Sequence, residues 1–141
     1  MSRRGMLGSA MAAAAAMLVA CGGGQDVQRA VNAAAEEVDG VQSSDLELAS
    51  GATFQPLMRG TIITTAGTRS EGLEIFGRAM GAVARTAVEQ GDPEAERSRV
   101  VGAVIAVTES GEELGIWDLR PDLESSKGRL DAVIVEDFLG S

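Results

Sequence analysis

The run Val100-Val101-Gly102-Ala103-Val104-Ile105-Ala106-Val107-Thr108 carries no charge and consists mainly of β-branched and small apolar residues. Such a run predicts a central β-strand that is covered on both faces. Around it, three further strands are predicted at 41–49, 54–65 and 114–120. In the first of them, Leu46 and Leu48 alternate with acidic neighbours, which predicts one buried and one solvated face.

Two other segments have the three- and four-residue apolar spacing of amphipathic helices. The first, 26–38, has Asp26 at its start, and the second, 70–90, has Ser70 at its start and Gly91 at its end. Asp and Ser are preferred at helix N-caps and Gly at C-caps, so these residues mark the predicted ends. The segment 94–99 is predicted to be charged and exposed. The C-terminal segment 129–139 fits a helix, with a strand over 132–135 as the alternative.

The element order is helix–strand–strand, helix–strand–strand and a last helix, which predicts an α+β fold. We expect a two-layer sandwich, with a four-stranded antiparallel sheet and the helices on one face. Residues 26–141 would form this single domain, after a signal at 1–20 and a short linker at 21–25. Gly60, inside the second strand, predicts a bulge or the close packing of a helix.

The composition excludes several classes of function. The sequence after residue 20 keeps 10 basic and 21 acidic residues, a formal charge of −11. Such a surface repels phosphate backbones and anionic headgroups, which argues against nucleic-acid binding and against electrostatic membrane docking. The chain has no histidine, the commonest general base and transition-metal ligand. No catalytic, metal-binding or cofactor-binding residue is therefore predicted.

The first twenty residues have the three zones of an export signal. Arg3 and Arg4 form a short positive region, residues 6–19 are uncharged, and Leu18-Val19-Ala20 precedes the chain's one cysteine, Cys21. This arrangement resembles the lipobox of bacterial lipoprotein precursors. The resemblance implies cleavage before Cys21, a diacylglyceryl group on its sulfur and attachment at the extracytoplasmic face of the cell membrane. The alternatives are an uncleaved anchor helix and a secretory signal with a coincidental cysteine.

Two further resemblances are present. The stretch Ser2-Arg3-Arg4-Gly5-Met6-Leu7 resembles a twin-arginine export signal, in which Met6 replaces Phe and Gly8 replaces Lys. An ordinary positive region of the general secretory route is the alternative, so the export route stays open. The stretch from Val41-Gln42-Ser43 to Gly60-Thr61-Ile62 resembles small actinobacterial lipoproteins of uncharacterised function, and it implies no activity.

Trp117 is the chain's one tryptophan and alternates with Ile116 in the predicted fourth strand. One of the two must then point away from the helix-covered face. The same holds for Ile62 and Ile63, which are adjacent in the second predicted strand. An uncovered apolar side chain predicts a surface for a partner, unless the C-terminal segment covers it. Two hypotheses follow: a non-enzymatic interaction module for an envelope protein, and a carrier or sensor that holds a small apolar ligand between the sheet and the C-terminal segment.

Two acidic clusters and one glycine pair are weaker candidates for sites. The clusters are Asp92-Glu94-Glu96 and Glu109-Glu112-Glu113. Both could bind Ca²⁺, but neither has the spacing of a calcium loop, so solvated loops are predicted. Gly77 and Gly81 lie within the second predicted helix, where they favour close helix packing over phosphate binding.

Overall fold

The computed structural model describes residues 23–50, 55–123 and 132–140. The helices in these parts are α1 (Gly23–Glu36), α2 (Arg69–Gln90), α3 (Pro93–Arg97) and α4 (Ile116–Leu119), followed by a 3₁₀ turn at Val135–Phe138. The strands are β1 (Val41–Ser50), β2 (Pro56–Thr64), β3 (Val100–Val107) and β4 (Glu113–Gly115). The predicted α+β class is confirmed.

The four strands form one mixed sheet in the order β1-β2-β3-β4. The outer pairs are antiparallel, but β2 and β3 run parallel, so the prediction of a purely antiparallel sheet was wrong. The reason lies in α2, which connects β2 to β3. Its 22 residues span about 33 Å, enough to return the chain along the roughly 30 Å of β2. A helical crossover of this length permits parallel pairing.

Gly60 marks a bulge in the pairing between β2 and β3, as one of the two sequence interpretations predicted. The register with β3 shifts between Met58 and Gly60. The φ angle of Gly60 is +140°, and an added Cβ would collide with the backbone carbonyl of Asp45 on β1. A residue without a side chain is therefore required here, because of the neighbouring strand and not because of a helix.

The helix ends differ in part from those predicted. Helix α1 begins at Gly23, so Asp26 lies in its first turn and is not its cap. The N-cap of α2 is Thr68, not Ser70, and the Thr68 Oγ1 accepts a hydrogen bond from the Glu71 N–H at 3.1 Å. The C-cap of α2 is Gly91, as predicted. Inside α2, Gly77 faces α4, where an added Cβ would lie 3.5 Å from Leu119 Cδ1.

One continuous apolar cluster forms the core and joins the helices to one set of strand residues. Its largest fully buried members are Phe76, Phe138, Leu46, Met58, Ile62 and Met80. On β3, Val104 and Ala106 are buried, whereas Ala103 is exposed and Ile105 is partly exposed. The prediction that β3 is covered on both faces was therefore wrong, because the core lies on one side of this strand.

The C-terminal segment does not form the predicted helix over 132–134, where the chain is extended. Val100 and Ile134 form an isolated antiparallel bridge, and the Val101 N–H donates to the Val133 carbonyl at 2.8 Å. This is closer to the strand alternative. Residues 129–131 lie outside the described residues. The 3₁₀ turn that follows places Phe138 in the core.

Helix α1 lies along β1, the first strand of the sheet, and three of its polar side chains bind the backbone of that strand. The accepting oxygens belong to Gln28, Asn32 and Glu36, and the N–H donors belong to Leu48, Leu46 and Ser44, at 2.7–3.0 Å. Side chains four residues apart on a helix repeat every ~6 Å, and alternate strand residues every ~6.8 Å. The two periods match well enough for α1 to satisfy this sheet edge.

Candidate interaction surface

Trp117 is the one large hydrophobic side chain that is exposed among the described residues, at 43% of its full area. It lies in α4 and not in a strand, so the prediction of a fourth strand over 114–120 was wrong beyond Gly115. The chain turns because Gly115, the last residue of β4, is the N-cap of α4, and the Asp118 Oδ2 accepts the Gly115 N–H at 2.8 Å. A carboxylate in the first turn also suits the positive end of the short helix.

Arg69 fixes α4 relative to the start of α2. Its Nη1 donates to Glu112 Oε2 at 2.8 Å and its Nη2 donates to Asp118 Oδ1 at 2.9 Å. The hydrogen bond to Glu112, followed by that to Asp118, raises the pKa of Arg69. The Gly115 N–H, and after it the Arg69 guanidinium, lower the pKa of Asp118. Asp118, the residue next to Trp117, is therefore held by two hydrogen-bond donors, the Gly115 N–H and the Arg69 guanidinium.

Trp117 lines a groove of about 400 Å³ that we call the aromatic groove. Its other lining residues are Val101, Gly102, Ala103, Val104, Ile105, Gly115, Ile116, Ala132 and Val133. It lies where the sheet is interrupted, because β4 pairs with β3 only from Ile105 to Val107 and the C-terminal segment pairs only near Val101. Every side chain in this groove is apolar.

A second groove of about 470 Å³, the acidic groove, meets the aromatic groove at Ala103 and Ile105. Its lining residues are Gln28, Asp45, Glu47, Arg59, Gly60, Thr61, Ala103 and Ile105. Glu47 is neutralised by Arg59 at 2.7 Å, whereas Asp45 has no ion-pair partner among the residues that the structure describes. The two grooves together form one surface across the sheet, which we call the open face.

The strand register shows why these residues share a face. Asp45 pairs with Thr61, Thr61 with Ile105, and Ile105 with Gly115, so the four form one row across the sheet. Directly paired residues point to the same side of a sheet. In the next row, Ile63 and Val107 are partly exposed. Of the two isoleucines considered from sequence, Ile62 is buried and Ile63 therefore faces outward.

A third groove, of about 500 Å³, contains an ion pair that the sequence interpretation missed. Arg99 donates through Nε and Nη2 to the two carboxylate oxygens of Glu96 at 2.7 and 2.8 Å. Its Nη1 donates to the carbonyls of Ala49 and Leu57, on either side of the β1–β2 connection. Only 6% of Glu96 is exposed, so the prediction that 94–99 is solvated was wrong for this pair. The three-residue spacing of Glu96 and Arg99 was the available signal.

The acidic clusters do not converge in the described parts of the chain. Asp92 caps α3 by accepting the Glu94 N–H at 3.2 Å, and Glu96 forms an ion pair with Arg99. In the other cluster, Glu112 forms an ion pair with Arg69. No group of three or more metal-ligating side chains is found among the described residues.

The predicted signal residues Arg3, Arg4, Leu18, Val19, Ala20 and Cys21 lie outside the described residues. Within the ranges that are described, no helix is long and apolar enough to cross a membrane. Comparisons with known protein families, curated proteins and solved structures found no match for this chain.

Proposed function

We propose that this chain is a lipoprotein, anchored through Cys21 at the extracytoplasmic face of the cell membrane, and that it acts there as a non-enzymatic module for binding an envelope protein. The lipobox Leu18–Cys21 supports the anchor. The exposed indole of Trp117 supports the binding role, and it is the observation that carries the proposal. Exposed aromatic side chains that line a groove are typical anchors of protein interfaces.

The position of α1 supports a short distance between the domain and the membrane. Helix α1 begins at Gly23, two residues after the cysteine that would carry the lipid, and two residues span at most about 7 Å. Val27, near the start of α1, lines the same groove as Ser50, Gly91 and Arg99. These residues would form the end of the domain nearest to the bilayer.

The proposed architecture is a two-layer sandwich with α1 and α2 on the same face of the mixed sheet. Its support is the single buried cluster that includes Val31 of α1, Phe76 of α2, and Met58 and Val104 of the sheet. On the opposite side, Arg59 and Ala103 are exposed. This arrangement leaves the open face free to meet a neighbouring protein that stands on the same membrane.

The ion pairs and helix-cap hydrogen bonds of several acidic side chains support a role without catalysis. General acid–base chemistry needs carboxyl groups that are free to exchange protons with a substrate. Here Glu96 is held by Arg99, Asp118 by Arg69 and the Gly115 N–H, and Asp92 by the start of α3. Each of these carboxylates has a structural role. Asp45 has no ion-pair partner among the described residues, but the other carboxylate that lines its groove, Glu47, is paired with Arg59.

Two measurements test the proposal. Mass spectrometry of the N-terminal peptide from membranes should show a chain that begins at Cys21 and carries a diacylglyceryl group. Cross-linking of the tagged full-length protein in cells should then give one dominant envelope protein, and this product should be lost in Cys21→Ala. A free thiol at Cys21 in an unprocessed chain would contradict the anchor. Unchanged cross-linking in Cys21→Ala would show that the partner binds without the lipid anchor.

The alternative, a carrier or sensor of a small apolar ligand, is favoured by one observation. The aromatic groove lies between β3 and the C-terminal residues Ala132 and Val133, and its volume of about 400 Å³ is within the range of small-molecule sites. Native mass spectrometry of the protein from its own membranes distinguishes the two functions. A retained small molecule that is lost in Ile105→Lys would favour the carrier.

A further inference from the structure

We infer that the open face is the docking site of a basic amphipathic helix from the partner protein, with apolar side chains of that helix against Ile105 and Trp117 and a lysine or arginine beside Asp45. The inference rests on the proposed binding function and adds the chemistry of the partner. It is carried by the charge, shape and exposure of the open face.

The described residues of the open face carry acidic charge that they do not fully neutralise among themselves. Among the described residues of this face, Glu47 and Arg59 neutralise each other, whereas Asp45 has no cationic partner. Glu113, which lines neither groove but pairs with Val107 in the next row of the sheet, has no cationic partner among the described residues either. The described residues of the face and of its β4 border therefore carry a net negative charge beside an apolar centre. Complementary charge determines which partners can approach and in what orientation, so a partner with basic side chains is selected.

The same charge argues against two other occupants. A second copy of this chain would bring an identical negative face, and the sequence after residue 20 carries a formal charge of −11. An anionic lipid surface would be repelled for the same reason. A separate basic protein is the occupant that the charges favour.

The edge of the sheet at β1 is covered by α1. A partner that adds a β-strand needs free backbone N–H and C=O groups at an edge. On β1 the N–H groups of Ser44, Leu46 and Leu48 and the carbonyl of Leu46 are already bound by side chains of α1, and β4 offers only three residues. The broad face of the sheet is therefore more accessible to a partner than the β1 edge.

The width of the open face fits a short helix. From β1 to β4 the open face spans three strand spacings, about 14 Å, which is the length of roughly ten helical residues. Gly115 has no side chain, so the groove above Ile105 remains open toward Trp117. Apolar residues three and four positions apart on a helix could contact Ile105 and Trp117 while a cation from its flank reached Asp45.

The test uses the mature, lipidated protein in nanodiscs of neutral phosphatidylcholine and a labelled peptide of about 14 residues with a leucine stripe flanked by lysines. Fluorescence anisotropy gives the Kd. Asp45→Asn should weaken binding about threefold, as expected for one partly exposed charge pair. Glu89→Gln, on the exposed side of α2, removes the same charge elsewhere and should change the Kd much less. Ala103→Lys should weaken binding about tenfold or more, because it puts a cation at the centre of the groove.

Three outcomes would overturn the inference. Equal effects of Asp45→Asn and Glu89→Gln would show a diffuse charge effect without a site. Binding that Ala103→Lys leaves intact would place the peptide on another surface. A dimer in sedimentation that Ala103→Lys dissociates, without peptide binding, would make a second copy of the chain the occupant. The lipid on Cys21 is measured on the same preparation, so failure of the anchor and failure of the docking site give different results.

Discussion

Asn32 on α1 binds both backbone groups of Leu46 on β1. Its Oδ1 accepts the Leu46 N–H at 2.7 Å and its Nδ2 donates to the Leu46 carbonyl at 2.9 Å. The carboxamide thus makes the two hydrogen bonds that a residue of a neighbouring strand would make. Exposed strand edges promote aggregation, and a helix whose side chains satisfy the edge prevents it. Helix α1 is therefore both part of the core and the cover of the first strand.

Asn32→Ala should destabilise the fold. The variant leaves the Leu46 N–H and carbonyl without protein partners at a partly buried site, which costs about 1–3 kcal/mol. Chemical denaturation followed by circular dichroism measures the loss. Ala33→Ser, at the next, exposed position of α1, is the control and should cost about 0.5 kcal/mol. If the two variants were equally stable, the edge-covering role of Asn32 would be wrong.

Arg99→Met should be among the most damaging substitutions outside the apolar core. It leaves the Glu96 carboxylate buried without its cation, which costs about 3–5 kcal/mol. The double variant Glu96→Gln/Arg99→Met also removes the unpaired buried charge. Its free energy of unfolding should exceed that of Arg99→Met by about 1 kcal/mol or more. Urea denaturation of both variants provides the comparison. A double variant no more stable than Arg99→Met would contradict the role of this pair.

The stability contributed by Asp118 should depend on pH in a defined direction. The Gly115 N–H and Arg69 lower the pKa of Asp118 in the folded protein. Its contribution is therefore complete above the pKa of the unfolded chain and is lost as the pH falls through the lower pKa of the folded state. Asp118→Asn should be less stable than the parent at about pH 6, and the difference should shrink as the pH falls below the ordinary pKa of an aspartate. A difference between the two that grows on acidification would contradict this assignment.

Trp117→Ala should destabilise the fold much less than Phe138→Ala, although both variants remove an aromatic ring. Phe138 is fully buried, so its loss should cost about 3–5 kcal/mol. Trp117 is 43% exposed, and its loss should lower the melting temperature by only a few degrees. Thermal denaturation gives both values. A Trp117→Ala variant as unstable as Phe138→Ala would mean that the indole supports the fold and is not available for binding.

The elements that were predictable are those whose periodicity is long and regular. The apolar stripe of α2 and the alternation in β1 each extend over many residues, and both elements were found close to their predicted bounds. The parallel pairing of β2 and β3 was missed, because strand direction depends on how α2 carries the chain back and not on the composition of either strand.

The candidate site shows where local patterns fail. Ile116 and Trp117 alternate like strand residues, but a hydrogen bond from the Gly115 N–H to Asp118 turns the chain into a helix. Two alternating residues are too short a signal to outweigh this cap. Glu96 was predicted to be solvated because it belongs to an acidic run, yet Arg99, three residues away, makes its burial favourable. The exposure of Trp117 was one of the sequence hypotheses, whereas its helical setting required the structure.

The most direct test of the account is photo-cross-linking in cells from a photoreactive amino acid at position 117 of the full-length protein. We predict one dominant cross-linked envelope protein, absent when the same amino acid is placed at Glu89 and absent in the Cys21→Ala background. Cross-linking that is equal from positions 117 and 89, or that is unchanged by Cys21→Ala, would contradict a lipid-anchored module that binds through Trp117.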